Sequence, residues 1–209
     1  MDFSYTHPDY FGDDAAHPRG LTSAFESVGL LPGLAEAPIE SSPEGSFEKH
    51  WLHTLAHVLT EETQELYSAE KQLAEILPKM TLACTDPILR AVCEANLDQA
   101  REHFRRVESV QQMLGLAPDG RTNQTMEGLL VGLLETIAEN RPGSSRDAAL
   151  IAVVRKIKHF ETAAYCSARD FAQLLGLVPV TTALQKSLDE ETTLEAKFAN
   201  LEDLMVAYM

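Results

Sequence analysis

Apolar residues recur at three- and four-residue spacing along most of the chain, and this spacing is typical of amphipathic helices. In the stretch LYSAEKQLAEILPKM, for example, one helical face carries Leu66, Leu73, Leu77 and Met80. The same spacing predicts four long helices and one short helix, at about 46–83, 87–114, 126–139, 146–175 and 180–208. Long helices joined by short breaks predict an all-α fold, a four-helix bundle with one short extra helix.

Proline and glycine mark the breaks between these predicted helices. Pro87 follows Asp86, which suits the first helical position after an N-cap. Gly115 is expected to end the second helix, and Gly176 the one before the last. Pro78 falls near the end of the first helix, so we expect it to kink or loosen the last turn.

The first 45 residues differ from the rest of the chain. They contain five of the ten prolines and lack helical or strand-like periodicity. They also carry an aromatic cluster, Phe3, Tyr5, Tyr10 and Phe11. We therefore predict an extended N-terminal arm over 1–45 and a bundle domain over 46–209. The arm is either a flexible leader or a segment that docks on its own bundle or on a protein partner.

Charge and composition narrow the functional classes. The chain has 209 residues, which suits one sizeable domain, and a formal net charge of −15. A surface this acidic repels phosphate backbones, so nucleic acid is not an expected partner. Apolar runs are too short to span a bilayer, and the acidic N-terminus does not resemble a secretory signal. Three cysteines without CxxC spacing suit a reduced, cytoplasmic protein.

Ionisable side chains interrupt the apolar face of each long predicted helix. Glu70 lies between Leu66 and Leu73, where a lone buried carboxylate would cost several kcal/mol, about 2–7 on common scales for polar groups. The other inward positions are His103, together with the neutral Asn96, in the second long helix, Glu161 in the third, and Glu191 and Glu195 in the fourth. Each lies near the middle of its helix, so we expect them to meet at one level of the bundle.

Carboxylates and an imidazole that converge in a dry core need a counter-charge. A pair of iron or manganese ions supplies it, because hard oxygen ligands and imidazole suit these metals. If two irons bind, O₂ or peroxide can be reduced there. Tyr165, one turn beyond Glu161, either bonds a ligand carboxylate or is an ordinary core aromatic. For any single glutamate, a boundary position or a pairing with lysine or arginine is the simpler explanation. Acid–base catalysis without metal, by Glu191 and Glu195, is a further alternative.

Four stretches carry a resemblance to a known family. In order and spacing, LYSAEKQL, DAALIA, HFETAAY and LDEETTLEAKF resemble the YciF-like family of bacterial ferritin-like stress proteins, over about 52–205. The resemblance implies a ferritin-like four-helix bundle that forms a homodimer or a higher homo-oligomer. It also implies a dimetal centre, with no settled biochemical activity.

The resemblance also implies a ligand set. Carried over residue by residue, it falls on Glu70, Gln99, His103, Glu161, Glu191 and Glu195. Gln99 stands where the family has a glutamate, and Lys158 replaces the first glutamate of the family's EHYE pattern. If Lys158 points inward, its ammonium can replace one metal ion by pairing with Glu161 or Glu70.

Two functions from different classes follow. The first is a ferritin-like, stress-associated metal-binding protein with iron or manganese in its core. The second is a structural, assembly or interaction protein on the same bundle, with a degraded or absent metal site and the arm mediating contacts. The substitutions at Gln99 and Lys158 favour the second, and the convergence of acids favours the first.

Overall fold

The computed structural model describes residues 43–118, 120 and 122–207. Residues 1–42 of the predicted arm therefore lie outside the described residues. Residues 43–45, which the sequence assigned to the arm, form the start of the first helix instead. Proline at position 43 suits this start, because the first turn of a helix needs no backbone donor.

Five helices make up the regular structure of the described residues, and no strand is present among them. They are α1 Pro43–Ala83, α2 Pro87–Met113, α3 Gln124–Glu139, α4 Ser144–Leu174 and α5 Val178–Ala207. The predicted all-α bundle is confirmed, and the helix ends differ from the predicted ones by only a few residues. Helix α1 continues through Pro78 to Ala83.

Local sequence explains where the helices begin and end. The Asp86 carboxylate caps α2 by accepting hydrogen bonds from the backbone N–H of Ile88 (2.7 Å) and Leu89 (2.9 Å). Asn123 caps α3 in the same way through the N–H of Met126, at 2.9 Å. Gly115 follows α2 with a φ of 72°, a left-handed conformation that glycine adopts without strain.

The helices pack as two pairs. Helix α1 packs mainly on α2, and α4 packs mainly on α5. The pairs face each other through α1 with α4 and α2 with α5, while the short helix α3 lies against α1 and α4. None of the helices in the described ranges combines the length and the unbroken apolar sequence that crossing a bilayer requires.

The core consists of two apolar clusters with a polar layer between them. On each long helix, one residue marks the end of one cluster and a second residue marks the start of the other. These pairs are Leu66 and Ala69 on α1, Ala100 and Val107 on α2, Ile157 and Tyr165 on α4, and Leu184 and Leu194 on α5. Glu70 directly follows the first of these intervals, and His103, Lys158, Glu161 and Glu191 lie within the other three. The bundle therefore brings them to one level, surrounded by hydrocarbon at both ends.

Candidate metal centre

The polar layer contains five ionisable side chains, and all four long helices contribute to it. They are Glu70 from α1, His103 from α2, Lys158 and Glu161 from α4, and Glu191 from α5, each 0% exposed. Lys158 and Glu161 are three residues apart and share one face of α4. Without compensation, charges at this depth would strongly destabilise the fold.

Three of these side chains form a group with the spacing of metal ligands. One ligand atom each from Glu70, His103 and Glu191 lies within 4.8 Å of the others. The Nδ1 atom of His103 is 3.1 Å from Oε1 of Glu191 and 3.3 Å from Oε1 of Glu70. Three separate helices therefore direct two carboxylates and an imidazole nitrogen toward one point.

Three atoms of this group lack hydrogen-bond partners among the described residues. Oε2 of Glu70 has none, Nδ1 of His103 approaches its two carboxylates without the alignment of a hydrogen bond, and Oε2 of Glu191 has only its ion pair with Lys158. A buried polar atom without a partner costs about 1–3 kcal/mol, so it points to a ligand that completes the site. The residues present fit one cation at this position.

Neighbouring residues orient two of the three ligands. The Tyr165 hydroxyl donates a hydrogen bond of 2.6 Å to Oε1 of Glu70. On the other side, Nε2 of His103 lies 2.9 Å from Oε2 of Glu190, which also accepts from Nη1 of Arg106 at 2.7 Å. A carboxylate on the outer imidazole nitrogen fixes the ring and leaves the inner nitrogen for a metal.

Sequence reasoning missed Glu190 and Arg106 and left two roles open for Tyr165. Glu190 adjoins Glu191 in the chain, and Arg106 lies three residues after His103 on the same side of α2. Those spacings are a usable signal once His103 is recognised as an inward residue. Burial opposes ionisation of Glu190, but hydrogen bonds from Arg106 and His103 lower its pKa, so it remains a carboxylate.

Lys158 points into the layer and is fully buried there. Its Nζ atom lies 2.6 Å from Oε2 of Glu161 and 2.8 Å from Oε2 of Glu191. Of the two pairings expected from the sequence, with Glu161 or with Glu70, the first is present. The ammonium thus supplies a positive charge between the carboxyl groups of Glu161 and Glu191.

Protonation in the metal-free layer follows from these contacts. Burial disfavours the charged form of His103, but the carboxylates of Glu191 and Glu70 outweigh it and raise the pKa to about 10. Burial also disfavours ionised Glu191, but Lys158 and His103 lower its pKa to about 2. Burial and the charge of Glu191 raise the pKa of Glu161 well above its usual value. The protonated form of Glu161 is therefore favoured beside the charge pair of Glu191 and Lys158.

The metal-free protein is expected to lose stability as the pH rises from about 6.5 to about 10, because the pKa of His103 is raised in the folded state. Below this range the imidazole is protonated in both folded and unfolded chains, so its contribution is complete; above the range it is lost. Urea unfolding in chelator at stepped pH measures the effect. His103→Gln should flatten the curve in this range, and equal slopes in both proteins would contradict the assignment.

The remaining predicted ligands lie at the margin of the layer. Gln99 is half-buried, and its Nε2 donates to Oε1 of Glu191 at 3.3 Å. The Glu195 side chain is 19% exposed, and its Oε1 accepts from Nε and Nη2 of Arg155 at 3.0 and 2.9 Å. The structure therefore groups Glu191, but not Glu195, with Glu70 and His103.

Comparisons with known proteins agree with this architecture. A family model described as a domain of unknown function, DUF892, matches residues 54–208. Protein YciF of Escherichia coli K12 is 30% identical over 151 residues, covering 72% of this chain and 91% of YciF. The crystal structure of the E. coli stress protein YciF superposes with a TM-score of 0.71 at 29% identity, covering 74% of this chain and 98% of that one. YcfI from Rhodopseudomonas palustris, described as a candidate structural protein, gives a TM-score of 0.68 at 27% identity, covering 71% and 94%.

Proposed function

The chain belongs to the DUF892 family and is a YciF-like protein, and from this premise we propose that it is a stress-associated bundle protein that binds one divalent cation in its core. The observation that carries the proposal is the buried group of Glu70, His103 and Glu191. Two carboxylates and a neutral imidazole balance the charge of a divalent ion. Oxygen and imidazole donors suit iron or manganese, and zinc also binds such sites.

One cation, rather than the two of a dimetal centre, is the number that this chain's residues support. A second ion would need Glu161 as a further carboxylate ligand, but Oε2 of Glu161 faces the Lys158 ammonium at 2.6 Å. The same ammonium lies 2.8 Å from Oε2 of Glu191, so this oxygen also faces a positive charge. A second ion in this place would have to displace a buried, paired lysine.

Each residue of the site has a separate task in holding the ion. Tyr165 keeps the Glu70 carboxylate turned inward, and Glu190 holds a proton on Nε2 of His103, so that Nδ1 is the donor atom. The apolar clusters on both sides keep bulk water away from the site. A bound iron or manganese ion would supply one-electron redox chemistry within this dry layer.

Glu191→Gln is expected to lower the affinity for Mn²⁺ or Zn²⁺ by more than about 100-fold, since it removes a ligand charge. The matched control is Glu195→Gln on the same helix, which should change the affinity by less than about threefold because Glu195 pairs with Arg155. Equilibrium dialysis with elemental analysis measures both, and circular dichroism checks that each variant folds. Equal affinities in Glu191→Gln and the natural protein would overturn the proposal.

A structural or assembly function is the second candidate, and the Lys158 contacts favour it. An ammonium that pairs with Glu161 and Glu191 can hold α4 and α5 together without any ion. Under this alternative, segment 1–45 mediates contacts between chains of a homodimer or higher homo-oligomer, or with another protein. Failure of the natural protein to bind Mn²⁺, Fe²⁺ or Zn²⁺ in the same dialysis would favour this candidate.

A further inference from the structure

Two buried cysteines lie side by side at the turn between α1 and α2. Cys84 directly follows the last residue of α1, and Cys93 lies in the second turn of α2. Their Sγ atoms are 3.5 Å apart, and the residues are 1% and 0% exposed. A disulfide has an S–S distance of about 2.05 Å, so bond formation requires an approach of about 1.5 Å.

The turn that carries Cys84 is held by charged side chains. The Asp147 carboxylate accepts hydrogen bonds from the backbone N–H of Thr85 at 2.9 Å and of Asp86 at 2.7 Å. Nη2 of Arg90 donates to the carbonyl oxygen of Cys84 at 2.6 Å. Because the backbone is fixed in this way, rotation of the two cysteine side chains is the movement that can bring the sulfurs together.

Hydrogen bonding gives the two thiols different roles. Sγ of Cys84 donates to the carbonyl oxygen of Met80 at 3.3 Å, so the hydrogen between the sulfurs belongs to Cys93. That hydrogen bond lowers the pKa of Cys84, and the charge of Arg90 lowers it further. Burial and the charge of Asp147 raise it, but the net shift is downward. The same contact and burial raise the pKa of Cys93. Cys84 is therefore the better nucleophile of the pair.

A small oxidant has a short path to Cys84. Its neighbour Thr85 is exposed, as are Leu82 and Pro87 on the same turn. Cys84 thus lies one residue from solvent, although its sulfur is covered. Local opening of a helix end admits a molecule the size of hydrogen peroxide more readily than opening of the core does.

We propose that Cys84 and Cys93 are a modification site, at which a hydroperoxide converts the two thiols into a reversible disulfide. The Cys84 thiolate attacks the peroxide oxygen, the O–O bond breaks, and the leaving oxygen takes a proton to form water or an alcohol. The resulting sulfenic acid is attacked by the Cys93 sulfur; its S–O bond breaks, and the hydroxide leaves as water with the Cys93 proton. Two thiols are oxidised and one peroxide is reduced. The site does not depend on the proposed cation.

Trypsin separates the two cysteines, which makes a direct test available. Cleavage after Lys79, Arg90 and Arg101 gives peptides 80–90 and 91–101, each with one cysteine. The full-length protein is treated with hydrogen peroxide, unfolded in the presence of an alkylating reagent and digested. We expect a linked 80–90/91–101 pair, lighter than the two peptides by two hydrogens, that dithiothreitol separates.

The oxidised protein should also unfold at a temperature about 5–10 °C higher, because the bond closes a short loop in the unfolded chain. Cys166→Ser serves as the matched control, since Cys166 is half-buried on α4 and should not affect the linkage. Cys93→Ser should leave a sulfenic acid on Cys84 that dimedone labels. Recovery of both peptides as free alkylated thiols, or linkage of either to Cys166, would overturn the proposal whether or not the Cys93 variant folds.

Discussion

Lys158→Met is expected to lower the free energy of unfolding of the metal-free protein by about 3–5 kcal/mol, which is typical when one partner of a buried ion pair is removed. Methionine retains the length and apolar stem of lysine but has no charge. The variant therefore leaves Glu161 and Glu191 facing each other across a dry layer without the ammonium at 2.6 and 2.8 Å. Urea unfolding in chelator measures the change.

The matched control for this experiment is Lys71→Met. Lys71 lies next to Glu70 in the sequence, but its side chain is exposed on α1. We expect the control to change stability by no more than about 0.5 kcal/mol. If Lys158→Met is as stable as the control, the ammonium does not neutralise the layer, and the account of its charges is wrong.

Lys158→Glu is expected to raise the number of bound cations from one to two per chain. This substitution supplies the carboxylate that the resemblance to the YciF-like pattern implies at this position. It also removes the ammonium that faces Glu161 and Glu191, so both become available to a second ion. Without metal the variant should be strongly destabilised, because repulsion among buried carboxylates is no longer compensated.

Added Mn²⁺ or Fe²⁺ should therefore restore the stability of Lys158→Glu in proportion to the logarithm of its concentration. Lys158→Gln is the control: it removes the charge and adds no carboxylate, so it should bind one ion. Elemental analysis after dialysis counts the ions in both variants. A single ion in Lys158→Glu would contradict the idea that lysine stands in for the second metal.

The helices could be predicted from the sequence because the helix-capping and helix-breaking residues agree with the apolar periodicity. The Asp86–Pro87 pair carries the cap and the first-turn proline of α2, and the structure shows both. The inward direction of Glu70 and His103 also follows from spacing alone, since each lies among apolar residues of one helical face. A start at Pro43 was missed because the first helical turn carries no apolar repeat.

The details of the site could not be predicted from residue spacing, because they depend on how the helices are rotated against each other. Glu191 and Glu195 are one turn apart and indistinguishable by period, yet only Glu191 lies in the buried group, while Glu195 reaches Arg155. Lysine has a long flexible stem that often carries its charge out to solvent. The inward position of Lys158 therefore depends on the carboxylates of neighbouring helices.

Because of the two apolar clusters, we expect this layer to be sensitive to single substitutions. They surround the layer with hydrocarbon, in which charges interact more strongly than they do in water. A compensated layer then fixes the register of the four long helices at one level. An uncompensated layer penalises the whole fold, which is why the largest predicted effects fall on Lys158.

Counting the cations bound to the natural protein is the most direct test of the account. Crystals grown with Mn²⁺, measured for anomalous scattering together with elemental analysis of the same protein, give both number and position. We expect one ion per chain, in contact with Glu70, His103 and Glu191, with the Lys158 ammonium still beside Glu161. Two ions in the layer, or none at saturating Mn²⁺, would contradict this expectation.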